Sequence, residues 1–397
     1  MVSALFSNLA DCVDAETLGR IIPGLATVLS WIDCAINLWN AYDACKRRDR
    51  KDTPVQRPTD PNEKQSPVGA GEQRFVPGRE PIPYTVLFEN MPTATAHARQ
   101  VVITDQLDED LDWRTFEVGT ISFRGGRYTV QAPPGQRFFQ TEVQMREEDG
   151  GLRVQVLAGI DLTTGRATFR LTAIDPQTGE PPTSPLLGVL PPNNEQREGE
   201  GFVTFRVKPK RTATTGTMIT NSATIVFDEE QPITTNEVFN TVDALPPTTM
   251  MTLLPERTNR VSFTVRWSGE DDEGGSGLRD YTVWVSVDGQ PYQVWLNNTA
   301  QTQAVFDAQP GSHVYAFYVT ASDHAGNLTP APTQPQAVIR ATLGDADGNN
   351  CVDDSDLLAV LFAFGEQGQN LPMDFNEDGR IDDADLMTVL LNFGAGC

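Results

Sequence analysis

Two periods divide the chain. Leu25, Val28, Leu29, Ile32, Ile36 and Trp39 recur at spacings of three and four, which predicts a helix with one apolar face within residues 11–48. Pro23-Gly24 separates it from a shorter helical piece, and Lys46-Arg47-Arg48 closes it, where the helix dipole favours cations. Residues 49–73 are rich in Pro, Asp, Gly, Gln and Lys and read as a linker. From Phe75 the period becomes two. Segments 84–89, 101–104, 152–157, 167–171, 202–207 and 223–227 predict strands of a β-sandwich, with a long Pro/Gly/Asn-rich loop at 176–200. After Leu245-Pro-Pro a second alternating block begins, with strands predicted at 261–267, 281–287, 304–306 and 314–321. Asp288-Gly289 is its hairpin turn, and Trp267 its expected core tryptophan. Beyond residue 343 the helical period returns twice: Leu357, Val360, Leu361 and Phe364, then Leu386, Val389, Leu390 and Phe393.

Those two helical segments belong to a repeat with an offset of 29 residues. Each is preceded by a loop of acidic and amide side chains. The first carries Asp345, Asp347, Asn349, Asp353 and Asp356 at positions 1, 3, 5, 9 and 12; the second carries Asp374, Asn376, Asp378, Asp382 and Asp385. Calcium takes about six to eight hard oxygen ligands in a flexible cage, and this spacing supplies them. Cys351 and Arg380 fall at position 7, where the backbone carbonyl is the ligand and the side chain is free to vary. Position 6 calls for a left-handed backbone; Gly379 suits it, and Asn350 tolerates it. An acidic, solvated turn would not recur in register with its helix. Two bound calcium ions are therefore expected.

Charge points the same way. The chain carries 54 Asp and Glu against 30 Lys and Arg, a net −24, which disfavours nucleic acid as a partner. From residue 343 onward there are 12 acidic residues and only Arg380 as a basic one, a local net of −11, so the tail should loosen without cations. A length of 397 residues implies several domains. The longest apolar candidate for a membrane span, residues 21–32, contains Pro23 and stops at Asp33, short of the roughly 20 residues required. Met1 is followed by neither a basic n-region nor a cleavage site. The expectation is the C-terminal part of a longer exported, extracellular or cell-surface protein, with the N-terminal helix a remnant of an upstream region. Of five cysteines, one must stay unpaired within the chain. Cys34 and Cys45 lie three turns apart, too far to bridge along one straight helix, and Cys12 could reach either by folding back.

The tail is not an ordinary EF-hand. No helix can enter the first loop through Ala331-Pro-Thr-Gln-Pro-Gln, and both position-12 residues are Asp rather than Glu. A calcium loop ending in Asp-Leu (Asp356-Leu357, Asp385-Leu386) and followed by an exit helix, twice over, resembles the type I dockerin domain across about residues 343–397. The resemblance implies a small calcium-loaded module that docks onto a cohesin domain, commonly at the end of a secreted protein acting on polysaccharides. It also implies that the module's ends lie close together, so a Cys351–Cys397 disulfide is expected. The partner is expected to be a cohesin-like domain or an intramolecular surface.

Residues 58–243 resemble an immunoglobulin-like repeat module of large bacterial surface proteins. The matching residues are Asp60-Pro-Asn-Glu-Lys64, Pro83-Tyr-Thr-Val-Leu-Phe-Glu-Asn90, Val102-Ile-Thr-Asp-Gln-Leu-Asp108, Asp112-Trp-Arg-Thr-Phe116, Asn221-Ser-Ala-Thr-Ile-Val-Phe-Asp228, Pro232-Ile-Thr-Thr-Asn236 and Asn240-Thr-Val-Asp243. Residues 246–340 look like a fibronectin type III or related Ig-like module. The expected fold is thus mainly β, with two Ig-like β-sandwiches in tandem (74–243 and 246–340), a short N-terminal helical segment (1–48) and a small helical two-loop calcium module (343–397).

Other chemistry is thinner. Asp271 and Asp272, in the acidic turn 270–277, could hold a third ion with Asp323, although a solvated turn is the simpler reading. Trp284, Tyr292 and Trp295 could form a sugar-stacking platform, making 250–340 a carbohydrate-binding module; edge packing is the simpler reading. An enzyme of the glycoside hydrolase type would need two carboxyl groups facing across a cleft, placed within 74–243. His97, His313 and His324 have no zinc-site spacing and no nucleophile motif beside them. The expected role is a non-catalytic stalk with a calcium-dependent docking end.

Overall fold

The computed structural model describes residues 62–397. The predicted helix within 1–48, most of the 49–73 linker and Cys12, Cys34 and Cys45 lie outside the described residues.

In chain order the first region forms β1 (Lys64–Gln65), β2 (Phe75–Pro77), β3 (Ile82–Glu89), β4 (Gln100–Gln106), β5 (Leu111–Phe123), β6 (Tyr128–Gln131), β7 (Phe138–Gln144), β8 (Arg153–Asp161), β9 (Arg166–Ile174), β10 (Glu200–Pro209), β11 (Met218–Asn221), β12 (Ala223–Phe227), β13 (Ile233–Thr234) and β14 (Val238–Asp243). One sheet runs β1-β3-β10-β5-β6, the other β13-β12-β4-β9-β8-β7, and a small sheet β11-β14-β2 completes the layers. Inward side chains alternate as the period of two requires. Val86, Val101, Ile103, Val154, Val156, Phe169, Leu171, Val203, Val207 and Ile225 are all fully buried in one core, each contributing about 1.5–3 kcal/mol on burial.

The first sandwich starts before residue 74, because β1 lies inside the segment read as linker and pairs with β3, Lys64 opposite Val86. The structure adds β5 and β7, which the alternation had not revealed. β5 carries bulges against β10, between Val203 and Phe205 and between Arg206 and Lys208. Each bulge shifts the phase of alternation, so its buried residues Leu111, Phe116, Val118 and Ile121 do not keep one parity. β7 is an edge strand without a buried residue.

The second sandwich comprises β15 (Thr248–Met251), β16 (Arg257–Thr258), β17 (Ser262–Glu270), β18 (Leu278–Val287), β19 (Gln293–Thr299), β20 (Gln303–Asp307), β21 (Ser312–Asp323) and β22 (Ala337–Thr342). Its sheets are β15-β17-β20 and β16-β22-β21-β18-β19. Asp288 and Gly289 both take positive φ at the β18–β19 turn, 52° and 73°, the geometry that matches the twist of a two-residue hairpin. Trp267 is 3% exposed, as a core tryptophan should be.

Two helices follow, α1 (Asp354–Ala363) and α2 (Asp383–Leu391). Their core is small: Val352, Val360, Phe375, Ile381 and Val389. This tail module rests on the second sandwich. Val261 N–H donates to Phe375 O at 3.1 Å, Asn259 Nδ2 to Asp345 O at 2.9 Å, and Arg260 to Leu371 O at 3.2 Å. No helix among the described residues is long and apolar enough to cross a membrane.

Candidate metal centre

Both acidic loops fold around their own carboxylates. In the first, Asp345 Oδ1 accepts the N–H groups of Gly348 and Asn349 at 2.8 and 3.1 Å, and Oδ2 accepts Asn350 N–H at 2.9 Å. Asp356 Oδ1 accepts Ala346 N–H at 2.7 Å and Oδ2 accepts Asp353 N–H at 2.8 Å. The second loop repeats this network. Asp374 accepts Asp378 and Gly379 N–H at 3.1 and 2.9 Å, while Asp385 accepts Phe375 and Asp382 N–H at 2.7 and 3.0 Å. Asp345, Asp356, Asp374 and Asp385 are all buried. Asn350 and Gly379 take φ of 67° and 87°, the left-handed backbone expected at position 6.

Asp353 and Asp382 are helix N-caps, accepting Ser355 N–H at 2.7 Å and Ala384 N–H at 2.9 Å, while Asp356 and Asp385 return the bond to the cap backbone. Each helix therefore begins with a complete capping box. The same aspartates that were read as ligands also start the helices.

One carboxylate oxygen each from Asp345, Asp347 and Asp356 comes within 4.8 Å of the others. Burial raises the Asp345 pKa, and the charges of Asp356 and Asp347 add to it. Crowded carboxylates of this kind fit a hard cation, which relieves both penalties. Asn349 turns its Oδ1 to Cys351 N–H at 2.6 Å. In the second loop Asn376 and Asp378 are exposed, with Asp378 Oδ1 accepting Arg380 N–H at 2.9 Å. Neither position-7 side chain faces a cage. Arg380 is exposed, and Cys351 forms a disulfide with Cys397, with Cα atoms 4.5 Å apart.

The helices leave apolar residues uncovered. Leu358, Leu361, Phe362 and Phe364 are 47–86% exposed, and Met387, Leu390, Leu391 and Phe393 are 47–72% exposed. Asp354, Ser355, Asp383 and Ala384, at loop positions 10 and 11, are exposed beside them.

The acidic turn 270–277 meets a residue that the sequence did not mark as a ligand. Asp271 and Asp272 gather with Asp243, the last residue of β14, each offering an oxygen within 4.8 Å of the others. Asp323, the expected third member, spends its carboxylate on Gly326 N–H (2.6 Å), Asn327 N–H (2.8 Å) and Asn327 Nδ2 (2.8 Å). Burial, with Asp323 and Asp271 nearby, lifts the Asp243 pKa to about 6. Asp243 belongs to the neighbouring sandwich, so no local spacing could have linked it to this turn.

The aromatic platform divides. Trp284 stacks on Tyr318 at 5.6 Å, and Tyr292 meets Tyr318 edge-on at 4.6 Å. Trp295 packs into the core instead, 5.1 Å from Phe306 and 5.8 Å from Phe317. Trp284 and Trp295 thus form no common sugar-binding plane. In the first sandwich two buried carboxylates have cationic partners: Asp105 receives Lys64 Nζ, and Asp149 receives Arg124 at 3.0 Å and Arg127 at 2.7 Å. His313 Nδ1 pairs with Asp288 Oδ2 at 2.7 Å.

A family described as a domain of unknown function (DUF7619) matches residues 60–146 and 188–241. Endoglucanase B of Cellulomonas fimi is 29% identical over 126 residues, a stretch covering 32% of this chain and 11% of that protein. The chain thus spans about a ninth of the length of this curated relative. The C-terminal domain of the Streptococcus pyogenes antigen I/II-family protein AspA aligns with 71% of this chain and 100% of its own, at 9% identity and a TM-score of 0.31. The fibronectin(III)-like modules of Clostridium thermocellum CbhA align with 70% of this chain and 93% of theirs, at 11% identity and a TM-score of 0.26.

Proposed function

We propose that the described chain is a non-catalytic, extracellular stalk whose tail is a dockerin-like module that holds two calcium ions and docks onto a cohesin-like domain. The observation that carries this is the duplicated network. Asp345 and Asp356 in one loop, and Asp374 and Asp385 in the other, are buried and organised by matching backbone N–H groups. Asp347, Asn349 and Asp353, and Asn376, Asp378 and Asp382, would complete the two cages, with the carbonyls of Cys351 and Arg380 at position 7. Calcium would neutralise the tail and lock both loops, so folding of the module would be coupled to binding. The uncovered apolar residues of α1 and α2 supply the hydrophobic part of a docking face. Two stacked sandwiches would space this end from whatever lies upstream. The partial likeness to an endoglucanase favours a partner engaged in polysaccharide breakdown over one engaged in adhesion.

Calorimetric titration of the full chain with calcium tests the reading. The tail should account for two ions, both lost in an Asp356→Ala/Asp385→Ala variant. A tail whose helices and exchange protection are unchanged by chelation would overturn it.

A further inference from the structure

The first sandwich buries a lysine that none of the preceding roles uses. Lys64 and Asp105 are both 0% exposed, and Lys64 Nζ is in direct contact with Asp105 Oδ2. The amine lies 5.0 and 5.2 Å from the ring centroids of Tyr84 and Phe205, in apolar surroundings. Its backbone is clamped: Lys64 N–H donates to Asn236 Oδ1 at 2.9 Å and Asn236 Nδ2 returns to Lys64 O at 3.0 Å. Asn221 closes β11 two residues before Ala223, which pairs with Asp105 across β12 and β4. Its side chain lies against the Asp105 carboxyl and the Tyr84 hydroxyl. Yet Asn221 is 3% exposed, and neither its Nδ2 nor its Oδ1 makes a well-formed hydrogen bond. A buried amide with both ends unsatisfied is costly unless it does something else.

We propose that the folded domain joins Lys64 to Asn221 by an intramolecular amide cross-link, with Asp105 as the acid–base group. The neutral Lys64 amine attacks Asn221 Cγ and the Nζ–Cγ bond forms. Protonated Asp105 donates to the carboxamide oxygen, takes up the proton shed by Nζ, and passes one to Nδ2 as the Cγ–Nδ2 bond breaks. Ammonia leaves; amine plus primary amide becomes secondary amide plus ammonia, with no redox change and no cofactor. Burial favours the required protonation states. It lowers Lys64 to about 8 and raises Asp105, although each charge partly opposes the shift of the other. Holding Lys64 and Asn221 on the same buried Asp105 carboxyl supplies the effective concentration that an ordinary amide exchange lacks. The bond would tie edge strand β1 to β11 near the end of the domain, so a pull on the stalk would meet a covalent clasp. Only that mechanical role rests on the stalk reading.

Intact mass of the full chain after disulfide reduction tests the bond, whatever the tail binds. The expected mass is one ammonia below that of the sequence, with a tryptic fragment joining the Lys64 and Asn221 peptides. Lys64→Met and Asp105→Ala should each restore the full mass. Folded wild-type protein with the full sequence mass and free trypsin cleavage after Lys64 would overturn the cross-link. Loss of ammonia persisting in Asp105→Ala would overturn the role of Asp105.

A separate set of atoms carries a second inference. Asp243 is 0% exposed, its Oδ2 accepts Ser276 N–H at 2.8 Å, and its Oδ1 has no partner. The Oδ1 atoms of Asp271 and Asp272 are likewise buried and unpartnered, and Asp271 Oδ2 accepts Gly277 N–H at 2.6 Å. None of the three carboxylates has a Lys or Arg partner among the described residues. We infer that this all-oxygen cluster binds a divalent cation of the calcium class, fastening the last strand of one sandwich to the acidic turn of the next. Calcium counting on the full chain should show one ion fewer in Asp243→Asn and in Asp272→Asn, with the tail ions retained. Equal counts in wild type and both variants would overturn it, and the tail ions are reported independently by Asp356→Ala.

Discussion

Asn392 Oδ1 accepts the Gly311 N–H at 2.6 Å while its Nδ2 donates to Thr388 O at 2.6 Å. One side chain thus caps α2 and fastens the tail module to the second sandwich. Five buried apolar residues are a small core for a module of this size, so the sandwich wall matters to its stability. Asn392→Ala should cost the module about 1–3 kcal/mol by leaving the Gly311 donor unpaired. Hydrogen exchange should rise across 343–397 and stay unchanged in the first sandwich. Unaltered protection of the tail would show that the contact is incidental.

Asp356 serves three backbone donors, those of Ala346, Asp347 and Asp353, and closes the proposed first cage. Asp356→Ala should therefore abolish one calcium ion and fray the start of α1 together. Asp353→Ala should mainly weaken the cap, by about 1 kcal/mol, with a smaller loss of calcium affinity. Titration calorimetry paired with exchange at Ser355–Leu357 separates the two effects.

The Cys351–Cys397 disulfide spans 46 residues, nearly the whole module. Breaking it with Cys397→Ser should cost about 2–4 kcal/mol through the unfolded chain. Both tail calcium ions should remain, because the proposed ligand at position 7 is a carbonyl. The melting temperature of the tail at saturating calcium, with and without the bond, checks this. An equal loss from calcium-site occupancy would place Cys351 in the cage after all.

His313 and Asp288 give the second sandwich a pH-dependent clasp. Donating its Nδ1–H to the Asp288 carboxylate raises the His313 pKa, and the bonds that Asp288 accepts from Val314 N–H and His313 lower its own. The histidine contribution is complete below its unfolded pKa of about 6.5 and fades as pH rises through its higher folded value. The aspartate contribution is lost as pH falls through the depressed carboxylate value. The pair is fully effective in the mildly acidic range between. Asp288→Asn should lower the melting temperature more at pH 6 than at pH 8; an equal drop at both would leave only the Val314 bond as its role.

The tail was the most legible part of the chain because each loop residue answers a local demand. Asn350 and Gly379 satisfy a backbone angle, and Asp353 and Asp382 satisfy a helix start. The strands with clean alternation were equally readable. β5 was not, since its bulges change the parity of Leu111, Phe116 and Ile121. Nor was the Asp243 cluster or the Lys64–Asp105–Asn221 group. Their members come from separate strands, and only the packed sheets bring them together. Trp295 read as a surface aromatic because strand parity alone does not say which sheet face is covered.

Asp354 and Asp383 bear on the choice of partner. Cellulosomal dockerins often carry Ser-Thr at loop positions 10 and 11, facing cohesin; here the pairs are Asp354-Ser355 and Asp383-Ala384, all exposed. They adjoin the uncovered apolar residues of α1 and α2, at the helix N-termini. A carboxylate desolvated at an interface without a counter-charge costs several kcal/mol. The module should therefore reject cohesins that select Ser-Thr and accept one presenting Lys or Arg at this point. Asp354→Ser/Asp383→Ser should gain at least tenfold in affinity for a Ser-Thr-selective cohesin in a panel binding assay, with calcium stoichiometry unchanged. Tight binding of that cohesin by the unmutated chain would show that positions 10 and 11 do not face the partner.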